Sequence, residues 1–365
     1  MTSPSSISQN NTRITSIDGL RGLCALSVAI SHFGIPTNLV GDLFYQFLTS
    51  GGHAVQIFFV VSGFLLARSI SKFSGSAQSN FRNFIASRFF RIYPLWAVVV
   101  TFVFLSTAMP LLEYWQYLSF SIAFLFYEKN PFYLTVSWSL FVEEIFYFLV
   151  GISLFFRTKL IHIVIAFVLF SELHNQWLSF NVANYLLIKY PDFKFYFFIN
   201  NLHFPILGFI FGKLSLDEKF NIFLLDQAQS YSKYIFDLLG VFYFISRRLN
   251  FGFIMPLEIA TTMILISTLI EGTVFNRLSK LFFLRWIGIR CYCFYLIHQQ
   301  IFWFQWPKKL LHEIGITHEL ALMLGHFISA MALTLLITWA SWKYFEEPII
   351  RYGKKICRSP VTTGR

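Results

Sequence analysis

Residues 137–156 read SWSLFVEEIFYFLVGISLFF, and their composition indicates the fold class of the chain. An α-helix rises about 1.5 Å per residue, so about 20 apolar residues are needed to cross the hydrocarbon core of a bilayer. The stretch has that length, and its two charged residues are Glu143 and Glu144. It therefore predicts a transmembrane helix that carries two acidic groups near one end.

The remainder of the chain repeats this apolar pattern. Of the 365 residues, 56% are hydrophobic and 13% are charged, whereas an average soluble domain has roughly 25% charged residues. We predict an all-α, polytopic integral membrane protein with about ten transmembrane helices. Their predicted bounds are 18–35, 52–70, 90–109, 137–156, 160–174, 195–212, 234–248, 252–270, 287–306 and 320–344. Residues 112–127 are also apolar, and we interpret them as an interfacial or re-entrant helix because one more span would invert the topology of all later segments.

The distribution of Lys and Arg predicts the topology. With both termini in the cytoplasm, nineteen of these residues fall in inner segments and seven in outer segments, as expected when cytoplasmic loops are rich in positive charge. This asymmetry accounts for the net charge of +11 without nucleic acid as a partner. We expect a disordered cytoplasmic N-terminus (1–13), a transmembrane domain (14–350) and a basic cytoplasmic tail (351–365), in the cell (inner) membrane. The four cysteines lack a metal-site spacing, so no metal is expected.

The first predicted helix has a basic residue near one end and a histidine near the other. Arg21 and His32 are eleven residues apart, which places them on one helix face within roughly 20° and about 16 Å apart along the axis. Ionisable groups in a bilayer cost about 2.5–3.5 kcal/mol each to insert, so this pair indicates a functional site. The alternative is structural: Arg21 pairs with Asp18, and His32 is a hydrogen-bonded interfacial residue.

Two further segments carry polar groups. Residues 58–63 read FFVVSG, in which Ser62 and Gly63 favour close helix packing, while a nucleophilic Ser62 would need a base within reach. Arg88 and Arg91 lie three residues apart, on one helix face at the predicted inner side. Two guanidinium groups in this arrangement predict a phosphate site, and an anionic-lipid anchor is the alternative.

The acidic pair and a second histidine complete the candidate groups. Glu143 and Glu144 point about 100° apart around a helix, so one is expected to face a site and the other a structural partner. In the predicted ninth span, Tyr295 and His298 share a face at i,i+3 spacing. Counted from the predicted helix ends, His32, Glu143 and His298 lie in the outer half of the membrane, and the arginines lie at the inner side. A transporter and an enzyme supplied from both sides both fit this arrangement.

Together, these segments resemble the acyltransferase 3 family of membrane acyltransferases from residue 14 to about 350. The matching motifs are R-x10-H (Arg21 to His32), FFxxSG (Phe58 to Gly63), RxxR (Arg88 to Arg91), WSL followed by an acidic residue (Trp138 to Glu143), YLIH (Tyr295 to His298) and FEEP (Phe345 to Pro348). The chain departs from many relatives at Gln56, where an acidic residue is common, and at Gln299 and Gln300, where proline is common nearby.

The resemblance implies an O-acyltransferase that moves an acyl group, usually acetyl, from cytoplasmic acyl-coenzyme A to a hydroxyl of a sugar or lipid-linked saccharide outside the bilayer. The expected catalytic residues are His32, Glu143 and His298, and the expected acyl-coenzyme A ligands are Arg21, Arg88 and Arg91. His32 would act as general base or carry the acyl group transiently, and Glu143 would orient or charge-balance an imidazole. An envelope polysaccharide such as lipopolysaccharide is the favoured acceptor, and a small glycosylated metabolite is the alternative. The alternative function is a transporter or flippase of a lipid-linked sugar or an acyl donor.

Overall fold

Every regular element in the described part of the chain is helical. The computed structural model describes residues 14–34, 41–119, 133–159, 162, 201–248, 257–304 and 306–357, and these ranges contain no strand. The helices are α1 (Thr15–His32), α2 (Asp42–Ser50), α3 (Ala54–Ile70), α4 (Ala77–Ser106), α5 (Leu111–Leu118), α6 (Ser137–Phe155), α7 (His203–Leu214), α8 (Glu218–Gln229), α9 (Tyr234–Arg248), α10 (Leu257–Leu269), α11 (Val274–Ser279), α12 (Phe282–Ile289), α13 (Cys291–Trp303), α14 (Trp306–Glu313), α15 (Glu319–Ser341) and α16 (Glu347–Cys357). Short 3-10 helices cover Gly51–His53 and Tyr231–Lys233, and a π-helix covers Trp342–Glu346. The all-α prediction is confirmed for these residues.

Within the ranges that the structure describes, four helical stretches are long and apolar enough to cross a membrane. They are Leu48–Ile70, Ala77–Ser106, Ser137–Phe155 and Glu319–Cys357. On α4, large apolar side chains such as Val98, Phe102 and Leu105 are more than half exposed, as expected of a surface that faces lipid. The apolar helices are therefore consistent with a membrane protein. The count of ten spans and the cytoplasmic position of both termini stay predictions.

Several predicted spans match helices closely, and two differ. The predictions 137–156 and 234–248 correspond to α6 and α9. The predicted span 90–109 is the apolar part of α4, which begins earlier, at Ala77, because Ser76 caps its first turn by accepting a hydrogen bond from the Ser79 amide. The predicted span 287–306 is interrupted: α12 ends at Ile289 and α13 begins at Cys291.

Some predicted segments lie wholly or partly outside the described residues. These are the N-terminal segment 1–13, the fifth span 160–174 apart from His162, residues 195–200 of the sixth span, residues 252–256 of the eighth span, single residues of the first and ninth spans (35 and 305), the last part of the interfacial segment 112–127, and the end of the basic tail beyond residue 357.

The chain divides into two compact units. One consists of Met1–Ser71 and Phe204–Thr338, and the other of Lys72–His203 and Trp339–Arg365, in each case over the described residues. Each unit is described by itself below.

Glycine contacts hold the helices of the first unit together. A Cβ atom on Gly22 would collide with the backbone carbonyl of Leu284, and one on Gly288 would collide with the carbonyl of Asp18. Small residues at such crossings let two helix backbones approach closely. The end of α1 that carries Asp18 and Gly22 is therefore packed closely against α12.

The FFxxSG motif makes a second contact of this kind. A Cβ on Gly63 of α3 would collide with the carbonyl of Pro205 in α7, and one on Gly208 would collide with the carbonyl of Val60. Gly63 thus has a packing function, and the half-buried Ser62 precedes it on the same helix.

The second unit is built around α4. Trp96 is fully buried and its indole Nε1 donates a hydrogen bond of 2.8 Å to the carbonyl of Tyr117 at the end of α5. Phe84 packs edge-on against Tyr147 of α6, with ring centroids 6.2 Å apart. Gly353 of α16 leaves room for the ring of Phe90. These contacts place one face of α4 against α5, α6 and α16.

Candidate active site

Two of the predicted catalytic residues meet in the first unit. Nδ1 of His32, in the last turn of α1, lies 2.9 Å from Nε2 of His298 in α13. The planes of the two imidazole rings are parallel to within 2°, and the ring centroids are 5.2 Å apart. His298 is fully buried, whereas His32 is half-buried. The pair joins residues that are 266 positions apart in the sequence.

The backbone of α13 decides which nitrogens carry the protons. Nδ1 of His298 lies 3.3 Å from the carbonyl oxygen of Phe294, and a carbonyl only accepts, so this nitrogen carries a hydrogen. In a neutral imidazole, Nε2 of His298 then has the lone pair and accepts from Nδ1–H of His32. The lone pair of His32 consequently lies on its Nε2. We assign these tautomers from the hydrogen-bond pattern.

Aromatic side chains enclose the buried histidine. The rings of Tyr295, Phe294 and Phe302 lie 5.8, 6.2 and 5.9 Å from that of His298. Tyr295 in turn contacts the ring of Phe58 in the FFxxSG motif, at 5.9 Å. The packing restricts the rotation of His298, and through the hydrogen bond it fixes the plane of His32.

Arg21 lies on the same continuous helix as His32. Helix α1 runs without interruption from Thr15 to His32, so the two side chains start about 16 Å apart along the axis. Arg21 is half-buried and Asp18 is buried, next to the glycine crossing with α12. The basic residue is therefore placed at the end of α1 opposite to the histidine pair.

The second unit contains the acidic pair and the two motif arginines. The hydroxyl of Tyr147 donates a hydrogen bond to Oε1 of Glu143, one turn earlier in α6. The guanidinium group of Arg88 lies over the Tyr147 ring, 5.2 Å from its centroid, and over the ring of Phe84 at 5.9 Å. Glu144 has Glu143 and Arg88 as its charged neighbours. This cluster links α4 and α6 through the charges of Arg88 and Glu144 and through the contact of the Arg88 guanidinium group with the Tyr147 ring.

The two arginines of the RxxR motif differ in their surroundings. Arg88 is half-buried, and its Nε has no hydrogen-bond partner within the described ranges. Arg91 is exposed. Trp138 lies in the first turn of α6, before the acidic pair. The motif therefore contains one half-buried guanidinium group, that of Arg88, and one exposed guanidinium group, that of Arg91.

Sequence reasoning missed three groups that shape the histidine pair. The Phe294 carbonyl sets the tautomer of His298, and its signal was the i,i+4 spacing within a helix. Phe33, directly after His32, packs against Phe302 and His326 at 5.3 and 5.4 Å. His326 lies in apolar α15, and its local sequence gives no indication that it lies near this cluster.

The chain is similar to known proteins over almost its whole length. A family model described as an acyltransferase domain matches residues 14–343. A Staphylococcus aureus strain COL protein, provisionally named an O-acetyltransferase, is 24% identical over 386 residues, which covers 94% of this chain and 58% of that protein. Proteins with the same provisional name from strains MSSA476 and MRSA252 are 24% identical over 383 residues, covering 93% of this chain and 58% of their own length. The chain thus spans 58% of the length of these curated relatives. No solved structure shows significant similarity to it.

Proposed function

Because the chain belongs to the acyltransferase 3 family, we propose that it moves an acyl group, in the first instance acetyl, from acyl-coenzyme A to a hydroxyl of a sugar in a cell-envelope or exported polysaccharide. The observation that carries this proposal is the His32–His298 hydrogen bond, which leaves a basic nitrogen on the half-buried ring. The provisional O-acetyltransferase names of the relatives support an oxygen acceptor. The inner membrane is the proposed location, with the lipid bilayer as a partner.

His32 is the proposed general base. As the acceptor oxygen attacks the thioester carbonyl, its proton passes to Nε2 of His32, and the coenzyme A thiolate leaves and later takes a proton. The imidazolium that forms donates its Nδ1–H to His298, whose own Nδ1–H points at the negative end of the Phe294 carbonyl dipole. General base catalysis of this kind contributes about 10²–10⁴-fold in rate.

In this proposal His298 does what a carboxylate does in a Ser-His-Asp triad. It holds the base in one tautomer and one orientation, and it stabilises the positive charge that develops. Glu143 stays a predicted catalytic residue. Its carboxylate accepts a hydrogen bond from Tyr147, which gives it a defined orientation in the second unit.

The arginines are the proposed ligands of the acyl-coenzyme A phosphates. Arg21 lies at the opposite end of α1 from the base, and the spacing of about 16 Å is comparable to a pantetheine arm. In the second unit, exposed Arg91 and half-buried Arg88 offer guanidinium groups of the kind that bind phosphate oxygens in a bidentate manner. No metal is part of the proposal.

The test uses the purified full chain in lipid nanodiscs with envelope polysaccharide and acetyl-coenzyme A that carries a radioactive label in its acetyl group. We expect label to become covalently attached to sugar hydroxyls, and the transfer to be lost in His32→Ala. His312→Ala, at an exposed position on α14, is the matched control and should behave as the wild type. In sealed vesicles, movement of the donor or of a lipid-linked sugar without covalent transfer would instead support the transporter.

A further inference from the structure

The proposed mechanism does not use His326, a histidine buried in α15. Its side chain is 5% exposed, and its Nε2 lies 3.2 Å from the carbonyl oxygen of Phe302. Since a carbonyl only accepts, Nε2 carries the hydrogen. Its Nδ1 has no hydrogen-bond partner in the part of the chain that the structure describes. Burial of such a group is unfavourable, so an apolar residue would be expected here if packing were the only requirement.

The acceptor of this hydrogen bond lies in the last turn of α13. Because α13 ends at Trp303, the Phe302 carbonyl is one of the final four, which have no partner within the helix. His326 therefore closes the end of the helix that carries His298 one turn earlier. A group that fixes this turn also restricts how His298 moves along and around the helix axis.

A chain of ring contacts connects His326 with both members of the pair. Phe33, the residue after His32, lies 5.4 Å from the His326 ring and 5.3 Å from the Phe302 ring. Phe302 packs edge-on against His298 at 5.9 Å. A displacement of His326 would therefore shift Phe33, next to His32, and Phe302, which contacts His298.

We propose that His326 is a positioning residue for the histidine pair. Its Nε2–H anchors the end of α13, and its ring supports Phe33, so that the donor on His32 and the acceptor on His298 stay within hydrogen-bond distance. The assignment of an effect on catalysis rests on the proposed function, whereas the effect on the geometry of the pair does not. A reacting group misplaced by about 1 Å loses up to about 10²-fold in rate.

The test compares two substitutions of His326. His326→Gln keeps an N–H close to the position of Nε2, and His326→Leu fills the site without a donor. We expect kcat per folded molecule to fall about tenfold to a hundredfold in His326→Leu, with the KM for acyl-coenzyme A unchanged, and to recover to within about threefold of the wild type in His326→Gln. His312→Gln serves as the control for a histidine removed from an exposed position.

Nitrogen-15 spectra of histidine-labelled protein provide a measurement that does not depend on activity. The Nδ1–H signal of His32, identified by its loss in His32→Gln, should shift or broaden in His326→Leu and return in His326→Gln. An unchanged signal with unchanged kcat in His326→Leu would overturn the inference. An unchanged signal together with a lower thermal midpoint would reduce His326 to a purely structural residue. If the Nδ1–H signal of His32 changes in His326→Leu and returns in His326→Gln but the wild type transfers no acyl group, the proposed function fails and the positioning inference stands.

Discussion

Replacement of His298 by phenylalanine removes the acceptor that fixes the proton of His32 while keeping a ring in this fully buried position. In the wild type, Nδ1–H of His32 donates to His298 over 2.9 Å. When His32 takes up the acceptor proton, this bond involves a charged donor and is worth about 1.5–3 kcal/mol. Because about 1.36 kcal/mol corresponds to a tenfold change in rate, we expect kcat to fall by about 10- to 150-fold.

The matched variant is His298→Gln. Its amide oxygen can accept from His32, and its amide nitrogen can donate to the Phe294 carbonyl, so both hydrogen bonds of the native ring have replacements. We expect its kcat to stay within about tenfold of the wild type. The assay measures initial rates of acyl transfer in nanodiscs over a range of acyl-coenzyme A and acceptor concentrations, with thermal unfolding to determine the folded fraction.

Three outcomes bear on the reasoning. A folded His298→Phe variant with the kcat of the wild type would refute the pairing of the two histidines in catalysis. A His298→Gln variant that is stable but as slow as His298→Phe would refute the role of the acceptor. In the double variant His32→Ala/His298→Phe, we expect no further loss beyond His32→Ala, since residues that act as a unit are non-additive.

Three other substitutions test the supporting structure. Arg88→Lys should raise the KM for acyl-coenzyme A about tenfold with little change in kcat, because an ammonium group cannot replace a stacked planar guanidinium, and exposed Arg82→Lys is the control. Gly22→Ala should lower the free energy of unfolding by about 1–3 kcal/mol because its Cβ would collide with a backbone carbonyl of α12, whereas Gly52→Ala meets its nearest atom at 3.6 Å and should be neutral. Asp237→Ala should destabilise the protein by about 2–4 kcal/mol, as read from thermal unfolding in detergent, because this buried carboxylate accepts from two backbone amides at the start of α11.

The helices themselves were largely predictable from local composition. A run of about 20 apolar residues has few alternatives to a helix in lipid, since every backbone group must find a partner within the segment. For this reason the prediction 137–156 agrees with α6 to within a residue or two, and 234–248 agrees with α9 at both ends. Hydropathy did not predict the first part of α4, because the turns from Ala77 onward are helical without being apolar.

The interruption at Arg290 was not predicted from the hydropathy of the segment, and both a local and a tertiary contact lie beside it. The guanidinium group of Arg290 donates to the carbonyl of Trp286 and lies over the Trp286 ring, 4.5 Å from its centroid. On the neighbouring turn, Gly288 is pressed against the backbone of α1. Apart from Arg290, the sequence on both sides of the junction is largely apolar, so hydropathy alone predicted one helix there.

The candidate site was predicted as separate residues rather than as a pair. His32 and His298 were each identified by their cost in a membrane, but no local signal joins positions 266 residues apart. The expectation that Glu143 orients an imidazole came from comparison with Ser-His-Asp triads, in which a carboxylate orients the histidine. The orienting group that the structure places beside His32 is a second imidazole, backed by a helix carbonyl.

This choice of orienting group follows from the cost of charge in a bilayer. An ionised carboxylate fully buried beside His32 would have to be desolvated, at a cost of several kcal/mol, before it could orient anything. A neutral imidazole has no net charge to desolvate, and the helix already supplies the Phe294 carbonyl that fixes its tautomer. His298 can accept the Nδ1–H of His32 in the resting state and share the positive charge only when the reaction creates it. In the proposed mechanism, a fully buried histidine next to a half-buried one thus gives the base the orientation that a triad would give it, at a lower desolvation cost than a carboxylate.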